Sequence, residues 1–155
     1  MAGVSVQKAS VGSPVVQALI SALDAEITER YPEEDANFFR LDEDEIAPGR
    51  GALFVATVDG EVVGCGAVRR LDGADAEIKR MYVTPLSRGH GAGRALLAAL
   101  EGEARSLGAT RLVLETGERL FEAITLYERT GFTIIPPFNE YVGERLSLCM
   151  GKELR

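Results

Sequence analysis

The residues best suited to chemistry in this sequence form one turn, Arg88-Gly89-His90-Gly91-Ala92-Gly93-Arg94. The turn follows a β-compatible run, Glu77 to Val83, and opens a helical pattern that carries Leu96, Leu97 and Leu100 on one side. The first N–H groups of a helix lack partners within the helix, and the helix dipole adds partial positive charge there. Glycines let a ligand approach the backbone, and arginine side chains suit phosphate oxygens. The pattern therefore predicts a phosphate-binding turn that a diphosphate would fit.

Two common phosphate-binding motifs do not match this turn. A Walker P-loop needs lysine after its last glycine, whereas Gly93 is followed by Arg94. A dinucleotide fingerprint needs a small residue where Arg94 or Leu96 stands, depending on which glycine begins it. On the turn alone, a glycine-tolerant helix start without a ligand remains the alternative.

Arg88-x-x-Gly91-x-Gly93 is similar to the R/Q-x-x-G-x-G/A signature of the GNAT-type N-acetyltransferase superfamily, whose members bind acetyl-CoA. Leu126 to Phe132 resembles the L-Y-x-x-x-G-F segment of the same family. The resemblance implies acetyl-CoA as a co-substrate, no metal, and a pantetheine arm lying beside the backbone of one strand. The implied cofactor-binding residues are Met81, Tyr82, Val83, Arg88, Gly89, His90, Gly91, Ala92, Gly93 and Arg94. Many members carry asparagine seven residues before the tyrosine, and this sequence departs from them with Leu120.

The implied reaction is the attack of an amine on a thioester, which needs a base for the amine and an acid for the departing thiolate. Tyr127 stands at the family's tyrosine position, and its phenol has a proton to donate. A core aromatic with a hydroxyl bonded to backbone is the alternative for this residue. Glu77 begins the strand that meets the cofactor and is the candidate base, although Lys79 or Arg80 could pair with it instead.

His90 and the two cysteines carry weaker functional signals. His90 is the only histidine and could titrate usefully, but its place in the turn favours a solvent-facing side chain. Cys65 and Cys149 lie apart in apolar runs, which favours two buried thiols over a disulfide or a metal site. Because neither lies in a nucleophile motif, we expect direct transfer to the amine.

The flanking patterns predict the elements that must position these residues. Val4 to Val11 favours a strand, and Ser13-Pro14 begins a helix that ends near Tyr31. Gly51 to Val58 and Glu61 to Arg70 predict a hairpin closed by Asp59-Gly60. Turn residues at 71–75 then reverse the chain into the Glu77 strand, and Gly64 and Gly66 suggest a bulge.

Beyond the central helix, the sequence predicts one more long strand, one more helix and two short strands. Arg111 to Glu115 should pair in parallel with the Glu77 strand across the helical crossover. Leu120 to Arg129 favours a helix, and Phe132 to Ile135 and Arg145 to Met150 favour strands around a loop at 136–144. With the resemblance, we predict an α/β (α+β) fold: a single GNAT-like domain over residues 1–155. Its sheet should be mixed and mostly antiparallel, with a splayed parallel pair at its centre and helices on both faces.

Length and composition agree with one globular domain. The chain has 155 residues, of which 46% are hydrophobic and 26% charged. A net charge of -7 argues against a nucleic-acid partner, which needs a basic face. The sequence has neither a long apolar run nor a signal-peptide pattern, so we expect no membrane partner and a cytoplasmic location.

The acceptor is the least determined part of the function. Carboxylates and aromatics recur at 33–45 and 136–144, including Phe38, Phe39, Asp42, Phe138, Glu140 and Tyr141. They suggest a mouth that binds a cation, hence a small cationic amine as acceptor, although the acidic 33–45 stretch also fits a solvated loop. A lysine or N-terminal amine on a protein, or an acyl-CoA sensor without turnover, remain alternatives. The resemblance also leaves a homodimer open.

Overall fold

The computed structural model describes residues 3–33 and 41–154, and it contains seven strands and three α-helices within those ranges. In chain order they are β1 (Val4–Ala9), α1 (Pro14–Arg30), β2 (Gly51–Val58), β3 (Glu61–Arg70), β4 (Asp75–Val83), α2 (Ala92–Ser106), β5 (Arg111–Gly117), α3 (Phe121–Arg129), β6 (Thr133–Ile134) and β7 (Ser147–Glu153). The strands form one sheet in the order β1-β2-β3-β4-β5-β7-β6. Only β4 and β5 pair in parallel within this sheet, and the predicted mixed sheet is confirmed.

Helices cover both faces of the sheet because successive strand residues point to opposite sides. On one face, α1 packs Val16, Leu19 and Leu23 against a cluster that includes Leu53 and Cys65. On the other face, α2 contributes Leu97 and Leu100, and α3 contributes Tyr127, to a cluster that contains residues from β4, β5 and β7. Three layers result, with β4 and β5 at the centre of the sheet.

Local signals in the sequence account for most element ends. The Ser13 side chain accepts a hydrogen bond from the Val16 N–H at 3.4 Å, and Pro14 occupies the first turn of α1. Asp59 and Gly60 have φ angles of 50° and 81°, which give the tight turn between β2 and β3 its form.

Some ends differ from the sequence-based expectation. β1 stops at Ala9 rather than Val11, α3 begins after Leu120, and the last strand covers Ser147–Glu153 rather than Arg145 to Met150. The last strand shifts because β7 pairs with the full length of β5, from Gly117↔Ser147 to Arg111↔Glu153. Pairing across the sheet therefore decides this boundary, and no local signal in the sequence reports it.

Candidate functional site

One cavity of about 920 Å³ opens where β4 and β5 separate. The parallel pairing runs from Asp75↔Arg111 to Ile78↔Leu114, while β4 continues to Val83 and β5 to Gly117. The cavity wall takes residues from α1, the diverging ends of β4 and β5, the glycine turn, α3 and the segment before β7. The predicted splayed pair is therefore present, and it forms the cavity.

A bulge in β4 lies at the point of divergence. Cys65 pairs with Tyr82 and Ala67 pairs with Lys79, so Arg80 and Met81 together face Gly66. Arg80 has a φ of 56°, a left-handed conformation that costs free energy for a residue with a Cβ atom. Its guanidinium is anchored by an ion pair with Asp24 and a hydrogen bond to the Ile20 carbonyl. Helix α1 thus holds the bulge in place.

Glycines shape the turn before α2 as the sequence predicts. Gly89 and Gly91 have φ angles of 82° and 94°, and Gly91 caps α2 without a side chain. The Ala95 N–H makes the first bond to the helix start, with the Gly91 carbonyl at 3.0 Å, so the preceding N–H groups have no partner within the helix. Eight of the ten predicted cofactor-binding residues line the cavity: Met81, Tyr82, Val83, Arg88, Gly89, Gly91, Gly93 and Arg94.

The other two residues of this set do not line the cavity. Ala92 is buried and belongs to a core cluster with Ala56, Val63 and Leu96. His90 has an exposed side chain, as its place in the glycine turn predicted.

The arginines of the turn differ in their partners. Arg88 donates to the Val83 carbonyl at 2.9 Å and to both carboxylate oxygens of Glu26 at 2.9 and 3.0 Å. Arg94 and Arg129 also line the cavity, and neither forms an ion pair with any residue that the structure describes. The unpaired positive charge at this end therefore comes from Arg94 and Arg129.

Tyr127 combines a buried ring with access to the cavity. Its ring packs edge-on against Phe132 at a centroid distance of 5.7 Å, and the residue is 5% exposed. Burial, with a smaller effect from the charge of Glu115, raises the pKa of the phenol, which stays protonated at neutral pH. Among the described residues its hydroxyl has no hydrogen-bond partner, and the oxygen is not enclosed, so it opens on the cavity.

Glu77 is buried and hydrogen-bonded, unlike a base that solvent can reach. It is 0% exposed and is not part of the cavity wall. Arg69 donates from Nε to Oε1 at 2.9 Å, and the Tyr141 hydroxyl donates to Oε2 at 2.6 Å. Arg69 rather than Lys79 or Arg80 is thus the cation bonded to this carboxylate, and Tyr141 stands between it and the cavity.

Glu115 and Ser147 are site residues that the sequence reasoning missed. Both line the cavity, with Tyr141, and Glu115 lies where β5 leaves its pairing with β4. The Ser147 hydroxyl donates to Oε2 of Glu115 at 2.5 Å. Burial raises the pKa of Glu115, Ser147 lowers it, and the charges of Glu77, Glu144 and Glu140 raise it further. The sequence pattern did place Glu115 at the end of the predicted strand Arg111 to Glu115, and the parallel pairing with the Glu77 strand was the signal that could have identified it.

Close packing joins α1 to the end of β5 beside this site. The Arg119 N–H donates to the Tyr31 hydroxyl at 2.7 Å, and Arg30 donates to the Arg119 carbonyl at 3.0 Å. A Cβ atom at Gly117 would lie 2.3 Å from the Tyr31 hydroxyl oxygen, so any other residue there would displace the Tyr31 side chain. The cavity wall is therefore fixed from both sides of the gap.

Of the two segments predicted to form an acceptor mouth, the structure describes 136–144 in full and 33–45 only in part. Tyr141 lines the cavity and packs edge-on against Phe138 at 5.1 Å, whereas Glu140 is exposed and outside the wall. Phe38 and Phe39 lie outside the described residues, and exposed Asp42 caps a short 3-10 turn, Glu43–Ile46.

The cysteines are buried, as predicted, and absent from the cavity wall. Burial raises the pKa of Cys65 to about 12 and raises that of Cys149 as well, so neither is a ready thiolate. Within residues 3–33 and 41–154, no three His, Cys, Asp or Glu side chains are grouped to bind a metal. The helices in those ranges are also too short or too polar to cross a membrane.

Comparison with known proteins assigns this arrangement to a family. The model of the acetyltransferase (GNAT) family matches residues 16–132. A relative from Azospirillum brasilense, named IAA acetyltransferase, is 39% identical over 155 residues, which cover 99% of this chain and 100% of the relative. The Escherichia coli protein YjgM, an uncharacterized N-acetyltransferase, is 35% identical over 77% of this chain and 75% of its own length. A solved structure from Klebsiella pneumoniae, provisionally assigned as an acyl-CoA N-acyltransferase, superposes with a TM-score of 0.84 at 34% identity and covers 98% of both chains.

Proposed function

Because the chain belongs to the GNAT acetyltransferase family and uses acetyl-CoA as co-substrate, we propose that its acceptor is a small, positively charged primary amine. The amine would bind at the acidic end of the cavity, which we define by Glu115, Tyr141, Glu144 and Ser147. The observation that carries this proposal is the charge around Glu115. Glu115 and Glu144 both line the cavity here. Burial is the main cause of the raised pKa of Glu115, and the charges of Glu77, Glu144 and Glu140 raise it further, so this end opposes further negative charge and attracts a cation.

The opposite end of the cavity suits the phosphates of coenzyme A. The free N–H groups of the glycine turn and the start of α2 provide donors, and Arg94 and Arg129 provide unpaired positive charge. The diverging backbone at Met81, Tyr82 and Val83 connects the two ends and suits the pantetheine arm. A volume of about 920 Å³ lies at the upper end of the range for ligand cavities.

When bound, acetyl-CoA supplies an activated acetyl group as a thioester. Tyr127 would act as the acid, because its phenol is protonated at neutral pH and its hydroxyl opens on the cavity. Glu77 is the base proposed from sequence, and its contact with the cavity would pass through the Tyr141 hydroxyl. Direct transfer to the amine is supported by the two cysteines, which are protonated and away from the cavity wall.

A thiol-release assay with acetyl-CoA and a panel of amines tests the proposal. The sharpest pair is 1,4-diaminobutane and 4-amino-1-butanol, which have the same chain length and differ by one positive charge. We expect a kcat/KM about tenfold higher for the diamine, since one charge-assisted hydrogen bond contributes ~1.5 kcal/mol or more. Equal values for the two, or faster release with glutamate, would contradict a cationic acceptor.

A basic peptide is the second candidate acceptor, since the chain carries a net charge of -7. Including a lysine-containing peptide and its Nζ-acetylated control in the same assay separates the two. The small-amine proposal expects the peptide to react more slowly than the diamine. No thiol release with any amine would instead favour an acyl-CoA sensor.

A further inference from the structure

We infer that Glu115, rather than Glu77, accepts the proton from the attacking amine. This inference rests on the proposed function, because it concerns the same cavity and the same amine. It assigns a catalytic role to a residue that neither the glycine turn nor the tyrosine segment identifies.

The position of Glu115 follows from the way the strands diverge. Leu114 is the last residue of β5 that pairs with β4, so Glu115 is the first residue beyond the parallel ladder. Glu115 and Tyr127 both line the cavity, and the charge of Glu115 adds to the effect of burial in raising the pKa of Tyr127. A base and an acid therefore face the same space at the separation point.

One oxygen of Glu115 is available to a ligand. Ser147 donates to Oε2, while Oε1 has no hydrogen-bond partner among the residues that the structure describes. Because no buried polar side-chain atom in those residues lacks a partner, Oε1 is reached from the cavity. The Ser147 bond fixes the carboxylate and leaves Oε1 free to accept from an amine.

Both oxygens of Glu77, by contrast, are already occupied. Arg69 bonds to Oε1 and Tyr141 bonds to Oε2, in a side chain that is 0% exposed. Glu77 is therefore a positioning residue that holds the Tyr141 ring at the acidic end.

The raised pKa of Glu115 supports this role, because a stronger base transfers a proton from an amine more readily. A protonated amine loses one proton to Glu115 and attacks the thioester carbon, forming the C–N bond. As the C–S bond breaks, the sulfur gains the proton of the Tyr127 hydroxyl, and the second proton of the nitrogen restores that hydroxyl. Glu115 then releases the first proton to solvent. Two protons leave nitrogen and one reaches sulfur, so the overall reaction releases one proton.

Acceptors of different basicity provide the test. Glu115→Gln is nearly isosteric and should lower kcat by about 10²-fold or more with an alkylamine that is protonated at the assay pH. The loss should be much smaller with an amine of low pKa that is already neutral at that pH. With the alkylamine, the acid limb of the kcat/KM profile should move up toward the pKa of the amine in Glu115→Gln, which needs the neutral amine, and stay in place in Glu77→Gln. Calorimetry should show equal affinity for coenzyme A.

The outcomes distinguish this inference from the proposed function. A wild-type protein that acetylates the diamine, with a Glu115→Gln variant of equal kcat and an unchanged pH profile, would overturn the inference alone. An equal loss with both kinds of amine would also overturn it, since a merely structural effect does not depend on amine basicity. A wild-type protein that releases no thiol with any amine would overturn the proposed function and this inference together.

Discussion

The hydroxyl of Tyr127 can be removed with little change in packing, because its ring lies in the core and its oxygen faces the cavity. If it donates the proton to the thiolate, Tyr127→Phe should lower kcat by about 10²-fold. Affinity for coenzyme A should stay within about twofold, since no phosphate contact is lost. Single-turnover kinetics and calorimetry measure the two effects separately, and an unchanged kcat would exclude Tyr127 as the acid.

The ionised carboxylate of Glu115 should lower the free energy of unfolding. Its pKa is higher in the folded state than in the unfolded chain, so ionisation opposes folding as pH rises through the folded value. Relative to wild type, Glu115→Gln should therefore be more stable at pH 7. The difference should shrink as the pH falls below the pKa of an unfolded glutamate, about 4.3, because the carboxyl then becomes protonated in both states. Urea titrations at several pH values check this, and a variant less stable at pH 7 would indicate a structural role for the Ser147 bond.

Sequence was informative for single residues only where a motif fixed their place. The L-Y-x-x-x-G-F segment drew attention to Tyr127, and this residue lines the cavity. Its hydroxyl forms no hydrogen bond to the backbone of any residue that the structure describes. The prediction that Glu77 is a base remains a prediction. Its bonds to Arg69 and Tyr141 depend on residues that are distant in sequence, and no spacing rule reports them.

The role of the glycine turn can be tested by comparing two glycines of α2, one at its N-cap and one in its interior. Gly91 has a φ of 94°, whereas Gly102 lies within α2 with an ordinary φ and open space where a Cβ atom would stand. We expect Gly91→Ala to lower the free energy of unfolding by about 1–2 kcal/mol and to weaken coenzyme A binding, because the N–H groups shift.

Gly102→Ala is the matched control for this change. It should raise the free energy of unfolding by roughly 0.5–1 kcal/mol, because alanine stabilises a helix interior relative to glycine. Its affinity for coenzyme A should equal that of wild type. Equal affinity in Gly91→Ala as well would contradict a phosphate-binding role for the turn.

Elements were predictable where local chemistry determines them. The Asp59-Gly60 turn, the Ser13 cap and the parallel crossover follow from short-range rules, and each is present. Gly64 and Gly66 predicted a bulge in their own strand, β3, whereas the bulge opposite Gly66 lies in β4 and includes the left-handed Arg80. Its conformation depends on Asp24 and Ile20 of α1, which are tertiary contacts.

Coenzyme A binding should stabilise the whole molecule, since the cavity joins α1, β4, β5, α2 and α3. At a free ligand concentration of 100 Kd the gain is ~2.7 kcal/mol, which corresponds to roughly 5–11 °C in Tm for a domain of this size. Arg94→Glu should remove most of this shift at the same ligand concentration, because it reverses an unpaired charge on the cavity wall.

Arg105→Glu provides a control on the same helix, outside the cavity wall. Its shift in Tm with coenzyme A should match that of wild type, even if its own Tm differs. If Arg94→Glu and Arg105→Glu reduce the Tm shift with coenzyme A equally, net charge rather than the phosphate end of the cavity governs binding.

The position of coenzyme A in a crystal structure of the complex tests the central claim most directly. We predict diphosphate oxygens within hydrogen-bonding distance of the N–H groups at Gly89 to Gly93, a pantetheine arm between β4 and β5, and a sulfur beside the Tyr127 hydroxyl. A cofactor bound outside the gap between β4 and β5, or a sulfur remote from both Tyr127 and Glu115, would contradict this account.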